Sequence, residues 1–397
     1  MKKNILLLDE DTLVLKALKR SLRRFKDQCN ILYAQSAKDA LAQMDQDGID
    51  VLITEVRLIN GDSELFLRSF LKRHPGAARI VLTGYTSSDA IFKFAGLAHQ
   101  LLAKPWSDQT LIETIQRADL ISRMLSDNRM KQTLNLIENF PSIPSVYMEL
   151  TEKLKNGDAS MEEIGAIIIR DPSLTIKLLQ IVNSPYYGLP MPVTDPQKAV
   201  NLLGLDIVKG FVLSSGIFKQ YEKTSAVCLQ IDALWQHSLK SANIVRQIAK
   251  RERLAKEIEE ASFIASLLHD VGKIIIASNF PNEHREICSR TAAEGLPFWH
   301  AEQLVLGVSH AEIGAYLLGL WGLPLTIIKA VQEHHRPNMD EHTDIDQTVL
   351  VHVANAIEKA SENPSGDLIA DLNAEFVARL HLGESIARWQ AQMSMMG

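Results

Sequence analysis

The chain has 397 residues, more than one ordinary domain holds, and its 46% hydrophobic and 23% charged content is that of a globular protein with real cores. Its 42 basic and 48 acidic residues leave a net charge of −6, so the overall balance draws it neither to nucleic acid nor to an anionic membrane. The three cysteines (Cys29, Cys228, Cys288) form no CxxC pair, which removes the usual zinc and redox motifs. The opening "MKKNILLLDED" meets three acids at Asp9, Glu10 and Asp11 and makes a poor signal peptide. No stretch reads as the roughly 20 apolar residues of a membrane span. The cytoplasm is the expected address.

The first 120 residues alternate regularly. "NILLLD" reads as a buried strand and 12–26 as an amphipathic helix; "NILYA" follows as a strand and 36–46 as a helix. "DVLITE" and "RIVLTG" are the third and fourth strands, each followed by a helix, near 62–73 and 87–95. "HQLLA" is the fifth strand and a last helix starts at Ser107. Strands that are apolar throughout and separated by helices predict an α/β fold with a parallel sheet covered on both faces. Such sheets carry their chemistry at the carboxyl ends of the strands. Those ends hold Asp9-Glu10, Glu55, Thr83 and Lys104-Pro105. Clustered carboxylates raise one another's pKa unless a lysine or a hard cation sits among them, and magnesium with oxygen ligands such as Glu10 and Glu55 is the usual solution.

On these residues the segment 1–120 resembles a response-regulator receiver domain, a flavodoxin-like (βα)5 fold with a five-stranded parallel sheet. The acidic pair matches Asp9-Glu10, the hydroxyl switch residue Thr83, and the lysine-proline pair Lys104-Pro105. The resemblance implies a histidine kinase as phosphoryl donor and an aspartate acceptor ending the third strand. Here that position is Glu55. One added methylene pushes the carboxylate toward Thr83 and Lys104, imitates the reach of a phosphorylated aspartate, and spoils in-line transfer. Leu101 stands where the family places an aromatic switch residue. The expectation is a degenerate receiver, locked or insensitive to phosphorylation.

Residues 121–139 read as a helical linker. From Ser107 to about Glu138 the pattern stays helical, with Leu111, Ile115, Leu120, Met124, Leu134 and Ile137 apolar. That stripe either pairs with its copy in a homodimer or belongs to one ordinary helix plus a solvated linker. Pro141 and Pro144 in "FPSIPS" mark the next domain.

Residues 140–360 read as an all-α bundle, with Asp158 and Asp171 as helix-start signals. Its histidines are informative: His237 in "LWQHSL", His269-Asp270 in "LLHDVGK", His310 in "SHAEIGA" and His334-His335 in "QEHHRP". Imidazoles and a carboxylate from several helices are the inventory of a bundle-core metal site for iron, manganese or zinc. His300, His342 and His352 read as surface residues. These motifs resemble the HD superfamily of metal-dependent phosphohydrolases, and as a set with "IPSVYMEL", "DPSLTIKLLQIVNSPYYG" and "SHAEIGAYLLGLWGLP" they are similar to its HDOD family, relatives of the HD-GYP phosphodiesterases. Two departures stand out. The superfamily's last aspartate falls at Asn355, a poorer and uncharged ligand, and the Gly-Tyr-Pro motif after the histidine pair is absent. "NSPYYGLP" (183–190) reads as a helix cap and packed turn in preference to a binding surface. The tail 361–397 carries an amphipathic helix that packs back on the bundle or serves a partner.

Three functions follow as expectations. The first is a signalling adaptor of two-component type, in which the HDOD domain regulates partner proteins non-catalytically, in motility, biofilm or cyclic-dinucleotide signalling. The second is a metal-dependent phosphodiesterase acting on a cyclic dinucleotide or nucleotide, with His237, His269, Asp270, His310, His334 and His335 holding one or two metals and Lys273 helping to bind the phosphate. The third binds a nucleotide without turning it over.

Overall fold

The computed structural model describes residues 2–23, 29–44, 48–55, 63–74, 77–83, 98–124, 127–137, 144–155, 160–183, 193–221, 229–338, 344–362, 372 and 374–393. The chain divides into two compact units.

The first unit is built on five parallel strands, β1 (Lys3–Leu8), β2 (Cys29–Ala34), β3 (Val51–Glu55), β4 (Ala78–Thr83) and β5 (Gln100–Ala103), in the order β2-β1-β3-β4-β5. Alternate residues of each strand point to opposite faces, and both faces are buried, which is why the strands are apolar without alternation. Leu6, Leu8, Leu52 and Val81 face α2 (Ala37–Met44) and α3 (Ser63–Arg73) through Ala40, Phe66, Leu67 and Phe70. Ile5, Leu7, Val51, Ile53, Ile80 and Leu82 form a second core with Leu15, Leu18 and Leu22 of α1 (Thr12–Leu22) and with Leu111 and Ala118 of the helix Asp108–Met124. The helix expected near 87–95 lies outside the described residues. Strand order reverses between β1 and β3, so the crevice where such folds bind ligands opens beside Asp9 and Glu55.

The connector is helical over Asp108–Met124 and Asn128–Asn135. Of the expected stripe, Leu111, Met124, Leu134 and Ile137 are buried and Ile115 and Leu120 half-buried, so most of it is covered without a second copy.

Every described element of the second unit is a helix. Ser160 starts the helix Met161–Ile169, because its hydroxyl accepts from Glu163 N–H while Glu163 accepts from Ser160 N–H, and Asp158 lies outside the described residues. Asp171 does serve at the next start, accepting from Leu174 N–H. The window Lys256–Asn279 is, against the sequence reading, long and apolar enough by composition to cross a membrane. An 18-residue window within it has a mean hydropathy of 1.4 and is 78% buried inside the protein, so its apolar surface is covered by the bundle. "NSPYYGLP" beyond Asn183 lies outside the described residues.

The tail packs back on the bundle. Phe376, Leu382, Ile386 and Trp389 join a core with Ile244, Val245, Ile248, Val349 and Val353, and the Trp389 indole N–H donates to Glu252 at 2.9 Å. Trp389→Ala empties a site that is 1% exposed, which is expected to cost about 3–5 kcal/mol and to lower the melting temperature in calorimetry.

Candidate metal centre

In the first unit Lys104 Nζ lies 2.9 Å from Asp9 Oδ2 and 3.0 Å from Glu55 Oε1. Asp9 is fully buried, and its second oxygen accepts from Asp11 N–H at 2.9 Å. Asp11 in turn caps α1 by accepting from Leu13 N–H. Burial pushes the Glu55 carboxyl up; Lys104 pulls it down, Asp9 pushes against that, and the net shift is upward. Burial would lower the Lys104 ammonium, but its bonds to Asp9 and Glu55 outweigh that and raise it. The ammonium therefore neutralises both carboxylates directly. Glu10 sits half-buried beside them. Thr83 ends β4, and its side chain, like that of Leu101, lies outside the described ones.

In the second unit all six predicted ligands converge. His237 lies within the helix Ile231–Arg251; His269 and Asp270 form the junction between Lys256–Leu268 and Val271–Asn279. His310 opens the helix His310–Leu320, and His334-His335 follow Leu325–Glu333. Their donor atoms fall into two groups that share Asp270, one with His237 and His269, the other with His310, His334 and His335. His237 and His269 face each other Nε2 to Nε2 at 3.1 Å; His310 Nε2 is 3.4 Å from that of His334 and 3.0 Å from that of His335. Asp270 Oδ1 lies 3.1 Å from His310 Nε2, and Oδ2 lies 3.5 Å from His269 Nε2 and 3.6 Å from His237 Nε2.

The opposite nitrogens explain this orientation. His269 Nδ1–H donates to the Ser266 carbonyl and His334 Nδ1–H to the Val331 carbonyl, both at 2.7 Å. His310 Nδ1–H donates to Glu302 at 2.5 Å, and His237 Nδ1–H to Glu358. A carbonyl oxygen only accepts, so in the neutral ring the proton sits on Nδ1 and Nε2 turns a lone pair inward. Burial lowers His269 to about 3 and drives His334 and His335 well below the ordinary imidazole range, so these rings are neutral near pH 7. His310 goes the other way: burial lowers it, but Glu302 outweighs burial. Burial alone would push the Asp270 carboxyl up; His269 and Lys273, the latter 2.7 Å away, hold it well below the usual carboxylate range. Asp270 also stands at a helix N-cap yet makes no capping bond, which leaves its carboxylate for the histidines.

Inward lone pairs about 3 Å apart repel unless a cation lies between them, and a carbonyl or carboxylate behind each ligand is the usual support of a metal-bound histidine. The donor set fits a transition metal. Asn355 is consistent with this: it is buried, and its Oδ1 has no hydrogen-bond partner among the described residues.

Sequence reasoning missed Glu302 and Glu358, both fully buried. Glu358 was within reach, three residues after Asn355 and so on the same helix face. His352 corrects the surface reading: it is 2% exposed, and its Nδ1–H donates to the His334 carbonyl at 2.8 Å. His300 is half-buried and stacks on Trp299, which also stacks on His335; His342 lies outside the described residues.

Gly272 in "HDVGK" has a packing reason. A Cβ there would lie 2.0 Å from the His310 carbonyl oxygen, so only glycine lets the two helix starts approach. Gly272→Ala is expected to push His310 away from Asp270. Titration with a divalent metal, beside a far-ultraviolet spectrum showing intact helices, should give at least a tenfold loss of affinity.

Comparison with known proteins agrees with this architecture. The response regulator receiver domain profile matches residues 5–116 and the HDOD domain profile residues 140–337. An HDOD domain protein from Geobacter sulfurreducens superposes with a TM-score of 0.53 at 23% identity, over 70% of this chain and 99% of that one. An uncharacterized protein of Treponema pallidum (strain Nichols) is 28% identical over 199 residues, 50% of this chain and 38% of that protein. The hydrogenase transcriptional regulatory protein HoxA of Cupriavidus necator is 30% identical over 116 residues, 29% of this chain and 23% of its own length. The chain thus spans well under half of these curated relatives. It is a response-regulator-type protein, carrying a receiver domain followed by an HDOD domain.

Proposed function

We propose that this chain is a signalling adaptor in which the HDOD domain, braced by a bound transition metal, regulates partner proteins without catalysing a reaction. The observation that carries this reading is the closure of the histidine cluster. His269, His310 and His334 are fully buried and Asp270 is 1% exposed; of the six donors only His237, with 15% side-chain exposure, and His335 are partly open, so the protein covers most of the centre, whereas a catalytic metal keeps a position open to substrate. His237, His269, Asp270, His310, His334 and His335 would hold iron, manganese or zinc. A metal so bound supplies charge neutralisation and ties together helices far apart in the sequence. Asn355 in place of a carboxylate leaves less negative charge to bind a bridging hydroxide.

The receiver in this reading is set by Glu55 instead of by phosphorylation. Its carboxylate already makes the ion pair to Lys104. Asp9, Glu10 and Glu55 offer oxygen ligands suited to magnesium, in competition with the Lys104 ammonium. A histidine kinase is then a binding partner more than a phosphoryl donor. A homodimer, if formed, uses a surface other than the covered connector stripe. A cytoplasmic address belongs to the same reading.

A second reading, a phosphodiesterase for a cyclic dinucleotide or nucleotide, has one observation in its favour. Lys273 stands 2.7 Å from Asp270 at 14% side-chain exposure, where it could hold a phosphate. Asn355 and the missing Gly-Tyr-Pro motif weigh against it.

Metal analysis of protein purified without chelator or nickel is expected to give near-stoichiometric iron, manganese or zinc, lost in His269→Ala, with no hydrolysis of cyclic dinucleotides. Turnover that disappears in Lys273→Met would establish the second reading, and negligible metal in a folded protein would remove the metal from the first. Beryllofluoride with magnesium is expected to leave the elution volume in size-exclusion chromatography unchanged; a shift would show a receiver that still responds.

A further inference from the structure

We infer that Glu358 and Glu302, which do not face the cluster themselves, set its metal affinity, with Glu358 supplying behind His237 the negative charge that Asn355 fails to supply. This rests on the reading of the histidine cluster as a metal centre.

The cluster is divided in a matched way. In each half one histidine is backed by a backbone carbonyl, His269 by Ser266 and His334 by Val331, and one by a buried carboxylate, His237 by Glu358 and His310 by Glu302. A carbonyl fixes the ring and its tautomer. A carboxylate does that and also makes the ring a stronger base toward a metal on its other nitrogen.

Helix architecture explains neither glutamate completely. Glu302 Oε2 accepts from the His310 backbone N–H at 2.8 Å as well as from the ring. Glu312 serves the preceding residue, accepting from Ser309 N–H at 2.8 Å and from its hydroxyl at 2.9 Å. Capping of the His310 N–H thus accounts for one bond to Glu302, but not for the second bond to the ring. The recorded ion pairs of Glu302 are with His310 alone, and its Oε1 has no hydrogen-bond partner among the described residues. A buried carboxylate so placed is costly unless positive charge reaches it, and a cation on His310 Nε2 would provide that charge.

Glu358 lies three residues beyond Asn355 on the helix Gln347–Glu362, so both belong to one face of one helix. Burial would raise its carboxyl, but His237 and then Lys240, 3.4 Å away, outweigh burial and keep it low. The charge missing at Asn355 is thus present one turn away, acting through an imidazole instead of touching the ion. Both glutamates are positioning residues. They act on charge and ligand basicity, so amide replacements that keep shape should separate their effect from folding.

The test compares wild type, Glu358→Gln, Glu302→Gln, Lys240→Met and Glu358→Gln/Asn355→Asp by competition titration with zinc, and records the visible d–d bands of each with cobalt. The expected result is a 10–100-fold loss of zinc affinity in each single glutamine variant, with shifted cobalt bands and unchanged helicity. Asn355→Asp should recover at least tenfold in the double variant, and Lys240→Met should bind at least as tightly as wild type. Wild type that binds no zinc would overturn the metal reading itself. Wild type that binds while Glu358→Gln and Glu302→Gln bind equally well, with unaltered cobalt bands, would overturn this inference alone. If a glutamine variant unfolds, the zinc affinity and cobalt bands of Lys240→Met, which keeps Glu358, still decide its role, and weaker binding than wild type would overturn it.

Discussion

Five imidazoles and one carboxylate turned toward a common centre inside a helical bundle are the constraint on which the second unit depends. Burial keeps the His269, His334 and His335 rings neutral by disfavouring their protonated forms, which leaves their inward lone pairs bare. Asp270, paired with Lys273 at 2.7 Å and 3.1 Å from His310 Nε2, sits among them. The arrangement persists because every ring but His335 is held from behind by a recorded acceptor. The bundle supplies those acceptors from backbone carbonyls near helix ends and from two acids on separate helices.

The same constraint reaches into the packing. Gly272 is needed for the His310 helix start to come close to the His269-Asp270 junction. His352 supports the segment bearing His334, and it packs against Phe376 of the tail. The tail's apolar residues then cover the helices that carry His237 and Glu358. The C-terminal helices are in this sense an outer layer around the histidine cluster.

In the receiver the equivalent question is solved by a lysine. Asp9 is buried deeply enough to require a counter-charge, and Lys104 provides it while also reaching Glu55. Glutamate at the end of β3 closes with its own carboxylate a contact to Lys104, the pairing on which the proposal of a phosphate-independent receiver rests. The two units thus differ in how they manage buried charge, one by an internal ammonium and the other by a centre suited to a metal.

Much of this was legible in the residues. Apolar runs without alternation announced a sheet covered on both faces, and the carboxyl-end rule picked out Asp9, Glu55 and Lys104 before their distances were known. The histidine motifs marked all six side chains that converge, because such residues have few other reasons to recur beside helix ends in an apolar bundle. Glu302, Glu358 and His352 were not legible, since an acid or a histidine on a helix reads as a solvated face until the packing shows that it is buried. The membrane-like window was misjudged, and the two readings of the connector stripe were left open, for a related reason: apolar content says that a surface must be covered, not what covers it. The sequence by itself determined the element order, the strand-end charges and the ligand inventory, all set by local pattern and residue chemistry. Only the tertiary structure decided which nitrogen of each ring faces inward and which acids stand behind them, because both depend on contacts between helices far apart in the chain.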